Sequence, residues 1–136
     1  INGKKVYAIK PLTFMNNSGI CIRELIEYFK IEAENVIVFH DDLDIDFGKI
    51  KAKFGGSSAG HNGIESIDKF IGKDYSRIRI GIGKPKKNSD VVDHVLKDFD
   101  EEEIKDLKKI TTNITESLSI LLDKKLDLFS STINNK

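Results

Sequence analysis

The sequence predicts a layered α/β domain with a partly parallel sheet, because strand-like and helix-like periodicities take turns along it. KIKAKF (49–54) and RIRIGI (77–82) alternate between charged and apolar residues, as half-buried strands do. Around them, apolar residues recur every three or four positions, which is helical spacing.

Taken in order, Lys4 to Lys10 (KKVYAIK) is β-rich and stops at Pro11, which has no N–H for a ladder. From about Ser18 to Phe29, Cys21, Ile22, Leu25, Ile26 and Phe29 mark one face of a helix. Val36 to Phe39 is a short apolar run that reads as a buried strand and ends in the acidic cluster HDDLDID. The strand 49–54 leads into the loop GGSSAGHNG, after which Ile64, Ile67 and Ile71 mark a short helix. Strand 77–82 follows. Beyond Asp100 lies the longest helix, stepping through Ile104, Leu107, Ile110, Ile114, Leu118 and Leu121. Asp100 and Glu103 form a capping pair at its start, and Lys124 and Lys125 suit its negative end. No repeat, low-complexity tract or linker interrupts the chain, so residues 1–136 read as a single domain.

With 136 residues, 39% of them hydrophobic, the chain can bury one core. No apolar stretch reaches the about 18–20 residues that cross a bilayer. The N-terminus has no signal-peptide layout, and a single cysteine, Cys21, excludes an internal disulfide, so the expected location is the cytoplasm. Cys21 falls on an apolar helix face and reads as core. The 22 basic and 22 acidic residues cancel, so a nucleic-acid partner must be sought in how the lysines are placed. The chain opens with Ile1 and runs directly into a strand, which reads as the edge of a fragment.

Three polar clusters follow expected elements, where α/β proteins place their ligands. HDDLDID suits a divalent cation in composition, but a calcium loop counted from Asp42 would need its glycine at Phe47 and its bidentate Glu at Lys53. The alternative is a solvated turn with an Asp capping its own backbone. In GGSSAGHNG, Gly55 and Gly60 have phosphate-loop spacing, yet His61 and Asn62 stand where Lys and Ser or Thr are required. Gly81-Ile-Gly83 lacks the third glycine of a dinucleotide site. Asn62, with Glu65 three residues on, could cap the next helix, as Asn16 and Asn17 could cap the first. Their amides could equally hold a substrate carbonyl or amide. His40 neighbours Asp41, but adjacent strand residues point to opposite faces. Lys49, Lys51 and Lys53 share one face of a strand, opposite Ile50, Ala52 and Phe54, and Arg77 and Arg79 repeat the pattern. Such a row is either a solvated face or a phosphate contact. Lys84, Lys86 and Lys87 follow in a loop.

PLTFMNNSG, VFHDDLDIDFGKIKAKFGGSSAGHNGIESI, YSRIRIGIGKP and VVDHVLKDF occur here in that order, and together they resemble the bacterial peptidyl-tRNA hydrolases. The resemblance runs from about Lys4 to Phe99, and FMN, HD-x-LD and GGxxGHNG in series carry it. It implies a mixed, mostly parallel central sheet flanked by helices. It also implies hydrolysis of the ester joining a peptide to the 3′ end of tRNA, which rescues tRNA from stalled translation. A histidine general base draws a proton from the attacking water, and an aspartate, matching Asp41, orients that histidine. Asn16 and Asn62 match the asparagines that bind substrate and position the water or carbonyl, and Phe14 matches a residue of the peptide groove. His61 is expected to shape the same pocket. Lys49, Lys51, Lys53, Arg77 and Arg79 are the candidates for tRNA phosphate contacts.

The family's leading strand, its GLGNPG-like turn and the histidine of its TRHN-like segment have no match here, so the resemblance places the general base upstream of Ile1. Residues 1–136 by themselves are then expected to be inactive. No metal and no cofactor is expected, the partner is peptidyl-tRNA without a membrane, and the protein is expected to act as a monomer. The alternative is a non-catalytic RNA- or protein-binding relative, as among organellar splicing factors. Asp41, Asn16 and Asn62 are expected to converge on one cleft.

Overall fold

Helical periodicity becomes helix at Ser18–Phe29 (α1), the bounds that the apolar spacing implies. Lys30 closes α1 in the left-handed conformation (φ 55°), and the Ile31 N–H bonds back to the Ile26 carbonyl at 2.8 Å. A single 3-10 turn, Ala33–Asn35, leads into β1 (Ile37–Asp42), followed by β2 (Ile50–Phe54), α2 (Asn62–Ile71) and β3 (Ser76–Gly81). The C-terminal part holds α3 (Glu101–Glu116), α4 (Leu118–Leu122) and α5 (Leu126–Asn134). This computed structural model describes residues 1–12, 17–84 and 100–136.

The strands form one sheet in the order β1-β3-β2. Ser76 N–H bonds to the Val36 carbonyl and Ile82 N–H to that of Asp42, so β3 runs parallel to β1. Gly81 N–H bonds to Lys49 O and Gly55 N–H to Tyr75 O, so β3 runs antiparallel to β2. The sheet is mixed, as expected.

The described residues group into two compact units, Ile1–Val38 with Lys53–Arg77 and Phe39–Ala52 with Ile78–Lys136. In the first, α2 lays Ile64 and Ile67 on Tyr75, with Ile22, Val36, Val38 and Ile71 around them. α1 can pack tightly on α2 because Gly19 lacks a side chain: a Cβ there would stand 2.1 Å from the Ser66 carbonyl oxygen. The Gly19 N–H uses that closeness to bond Ser66 Oγ at 2.9 Å. In the second unit the buried side chains include Ile45, Ile50, Ile78, Leu121, Phe129 and Ile133.

Three expectations are corrected. Lys4–Lys10 is not a strand; its residues are exposed, with Val6 43% and Ile9 47% accessible. β-propensity measures packing on a pleated neighbour rather than a backbone preference, and here the Tyr7 ring stacks on the helix residue Phe29 at 4.0 Å instead of on a strand. The long helix beyond Asp100 starts as expected, with the Asp100–Glu103 capping box complete, but it stops at Ser117 instead of running through Leu121. Thr111, Thr112 and Thr115 bond their hydroxyls back to carbonyls four residues earlier, a pattern that weakens and bends helices. Helix α5 was not anticipated, although Leu126, Phe129 and Ile133 have helical spacing. It covers the edge of β2: Asn134 accepts from Ile50 N–H and donates to Ile50 O, and Ser130 accepts from Ala52 N–H. Two side chains thus do for an edge strand what a further strand would do. Phe54 also departs from the inner face expected of it and is 48% exposed.

Candidate active site

The glycine-rich loop and α2, which carry the expected residues His61 and Asn62, lie in the first unit. Helix α2 begins at Asn62, and the residue that caps it is His61, whose Nδ1 accepts from the Ile64 N–H at 3.2 Å. An accepting Nδ1 carries no proton, so the ring proton sits on Nε2. The cap that the sequence offered to Asn62 is therefore supplied by its neighbour. Asn62 lies exposed at the first helical position, next to a dipole end that favours electron-rich groups.

The loop ahead of it is held from below. Arg77, 2% exposed, donates through Nη1 to the carbonyls of Gly56 (2.8 Å) and Ser57 (3.1 Å). Its Nη2 reaches Asp68 Oδ1 at 2.6 Å, and the Tyr75 hydroxyl donates to the same oxygen at 2.7 Å. The guanidinium also stands over the Tyr75 ring, 4.8 Å from its centroid. Burial, and after it the hydrogen bond to Asp68, push the Tyr75 phenol well above the usual tyrosine range. Arg77 is thus corrected as a phosphate candidate: its charge is buried and occupied. Asp68 was missed, although a signal existed. It shares the i, i+3, i+4, i+7 stripe with Ile64, Ile67 and Ile71, so its carboxylate had to point inward and needed a partner.

The acidic cluster lies in the second unit. Asp41 is the penultimate residue of β1, half-buried, and its backbone carbonyl accepts from His40 Nδ1 at 2.8 Å. That bond joins the His40 ring to the Asp41 backbone rather than to its carboxylate. Asp42 is the structural carboxylate. Its Oδ1 accepts from the Asp44 N–H at 2.8 Å, and its Oδ2 takes Arg79 Nε at 2.7 Å. This is the self-capping turn that the sequence offered as the alternative to a metal loop. Gly81 lets the turn close in, since a Cβ there would lie 2.1 Å from the Asp46 carbonyl oxygen. Among the described residues, no three His, Cys, Asp or Glu side chains gather as metal ligands.

Lys49, Lys51 and Lys53 are all exposed, while Ile50 is buried and Ala52 half-buried, so the row on β2 faces solvent as its alternation implies. Arg79 is 28% exposed and already paired with Asp42. Phe14 and Asn16 lie outside the described residues, as do Lys86, Lys87 and the VVDHVLKDF segment. His61 and Asn62 are brought together at one helix start, and Asp41 stands one residue before the end of β1 in the other unit.

A family model described as peptidyl-tRNA hydrolase matches residues 1–136. The chain is 80% identical over its whole length to a peptidyl-tRNA hydrolase of Pelagibacter ubique, of which it covers 73%. It is 46% identical over 99% of its length to one from Aliarcobacter butzleri, again covering 73%. Among solved structures, the crystal structure of peptidyl-tRNA hydrolase from Acinetobacter baumannii matches 91% of the chain with a TM-score of 0.81 and 31% identity. The chain spans 63% of that protein.

Proposed function

Because this chain belongs to the peptidyl-tRNA hydrolase family, we propose that the protein cleaves the ester between a peptide and the 3′ end of tRNA. The observation that carries the residue assignment is the division of labour at the start of α2. His61 caps the helix, which leaves the exposed Asn62 amide available to hold the substrate or the attacking water. In this reading Asp41 orients a histidine base and stabilises its charged form while the base takes a proton from water. Asn16 and Phe14 complete the hold on the peptide, and His61 shapes the pocket beside Asn62. No metal or cofactor takes part.

Lys49, Lys51 and Lys53 meet the tRNA phosphates, because they are exposed cations in one row, and Arg79 joins them by what remains accessible of its guanidinium. No helix among the described residues is long and apolar enough to cross a membrane. The finer reading is a monomer acting in the cytoplasm, in line with the lone cysteine and with site residues drawn from one chain.

The test is release of peptide from a peptidyl-tRNA by the full-length gene product, compared with Asp41→Asn and Asn62→Ala. Each substitution should lower kcat/KM by on the order of 10²-fold, since each removes a group aimed at the transition state. Unchanged turnover in both would overturn the residue assignment. Tight tRNA binding with no turnover by the parent protein would replace the reading with the non-catalytic one.

A further inference from the structure

The network under the glycine-rich loop centres on the buried Arg77 and reaches both segments that flank Asn62. From β3, Arg77 grips the loop before Asn62 through two backbone carbonyls, Gly56 and Ser57. Through Asp68 it also grips α2, the helix that Asn62 begins. Tyr75 adds a second donor to the Asp68 carboxylate and lays its ring under the guanidinium. Its backbone carbonyl accepts from the Gly55 N–H at 3.0 Å, so the same residue also pins the loop's first glycine. Loop and helix therefore cannot move apart without breaking a charge-assisted bond to a guanidinium that is itself 2% exposed.

We propose that Arg77 and Asp68 are positioning residues for the hydrolytic site, fixing the Asn62 amide by clamping the Gly56–Ser57 backbone to α2. This rests on the reading of Asn62 given above. The planar fork matters more than the charge. Arginine presents several N–H groups in fixed directions and serves two carbonyls and a carboxylate at once, whereas lysine offers a point charge on a flexible stem. A near-attack geometry is sensitive to displacements of an ångström, so a loosened clamp should be felt in rate without any lost substrate contact.

A double-mutant cycle on the full-length protein separates positioning from mere stability. Arg77→Lys and Asn62→Ala are made singly and together, and kcat, KM and the melting temperature are measured for each. The expected result is that Arg77→Lys lowers kcat/KM by about tenfold alone but by less than about twofold when Asn62 is already Ala, because its effect is transmitted through that amide. The fall in melting temperature should be the same in both backgrounds. Equal losses of kcat/KM in the two backgrounds, with Asn62→Ala itself impaired, would overturn the positioning role and leave the reading of Asn62 standing. An Asn62→Ala protein as active as its parent would instead overturn that reading, and this inference with it. Should Arg77→Lys fail to fold, Asp68→Asn, which keeps the shape and one acceptor oxygen, takes its place in the same cycle with the same outcomes.

Discussion

Arg77 and Arg79 leave the same strand two residues apart, and each is bound to a carboxylate, but their surroundings differ. Arg77 is 2% exposed and its partner Asp68 10%. Arg79 keeps 28% of its side chain accessible beside an Asp42 that is 7% exposed. The first pair ties a loop to a helix, and the second ties the acidic turn to the sheet through the doubly engaged Asp42. A cation on a strand is thus not in itself an address for phosphate. What decides is whether the protein has enclosed it, because an enclosed charge must be matched from within.

The largest consequence should appear in stability. Arg77→Ala leaves the largely buried Asp68 carboxylate with the Tyr75 hydroxyl but without its cation, and should cost about 3–5 kcal/mol in a urea titration. Arg79→Ala removes a cation that is 28% exposed and leaves Asp42 still bonded to the Asp44 N–H, and should cost about 1–3 kcal/mol. Equal losses would show that accessibility does not separate the two pairs.

A smaller effect is expected at the cap. His61→Ala should destabilise by roughly 1 kcal/mol, and His61→Asn should recover most of it because asparagine is a good N-cap. A fully stable alanine variant would mean that the Nδ1 bond contributes nothing.

The accessible cations give the next contrast. Replacing Lys51 and Lys53 together with Ala should raise KM several-fold at low salt, flatten its salt dependence, and leave kcat within about twofold, because phosphate contacts position without touching the ester. An unchanged KM would make the row a solvated face.

The smallest effect concerns Tyr75. Its phenol is held above the ordinary value of about 10 in the folded protein, so above that pH the unfolded chain releases its proton first and folding is disfavoured. The contribution is complete below pH ~10 and is lost as the pH rises further. Tyr75→Phe should therefore lose stability at neutral pH, through the missing bond to Asp68, yet show a shallower decline above pH ~10 than its parent. Parallel declines in melting temperature would count against the shifted phenol.

Local rules were legible from the sequence alone. The apolar spacing gave both ends of α1, and the Asp100–Glu103 pair formed the capping box as written. The strict alternation of KIKAKF put Lys49, Lys51 and Lys53 outside, since a strand at the edge of the described sheet can leave one face wet. The series FMN, HD-x-LD and GGxxGHNG was enough to indicate the family. Such features depend on neighbours a few residues away, whose spacing the chain itself sets.

Burial at a distance was decided only by the tertiary structure. RIRIGI alternates like a half-exposed strand, but β3 lies between β1 and β2, and both its ends are covered. The order of strands is a property of the assembled sheet, so no pattern within the segment could announce that Arg77 would be enclosed. The same holds for KKVYAIK, whose β-rich composition finds no ladder, and for Asn62, released from capping because the His61 ring reached the Ile64 N–H first. In each case several local solutions were open to the sequence, and long-range packing chose among them by deciding which polar groups would lose their water.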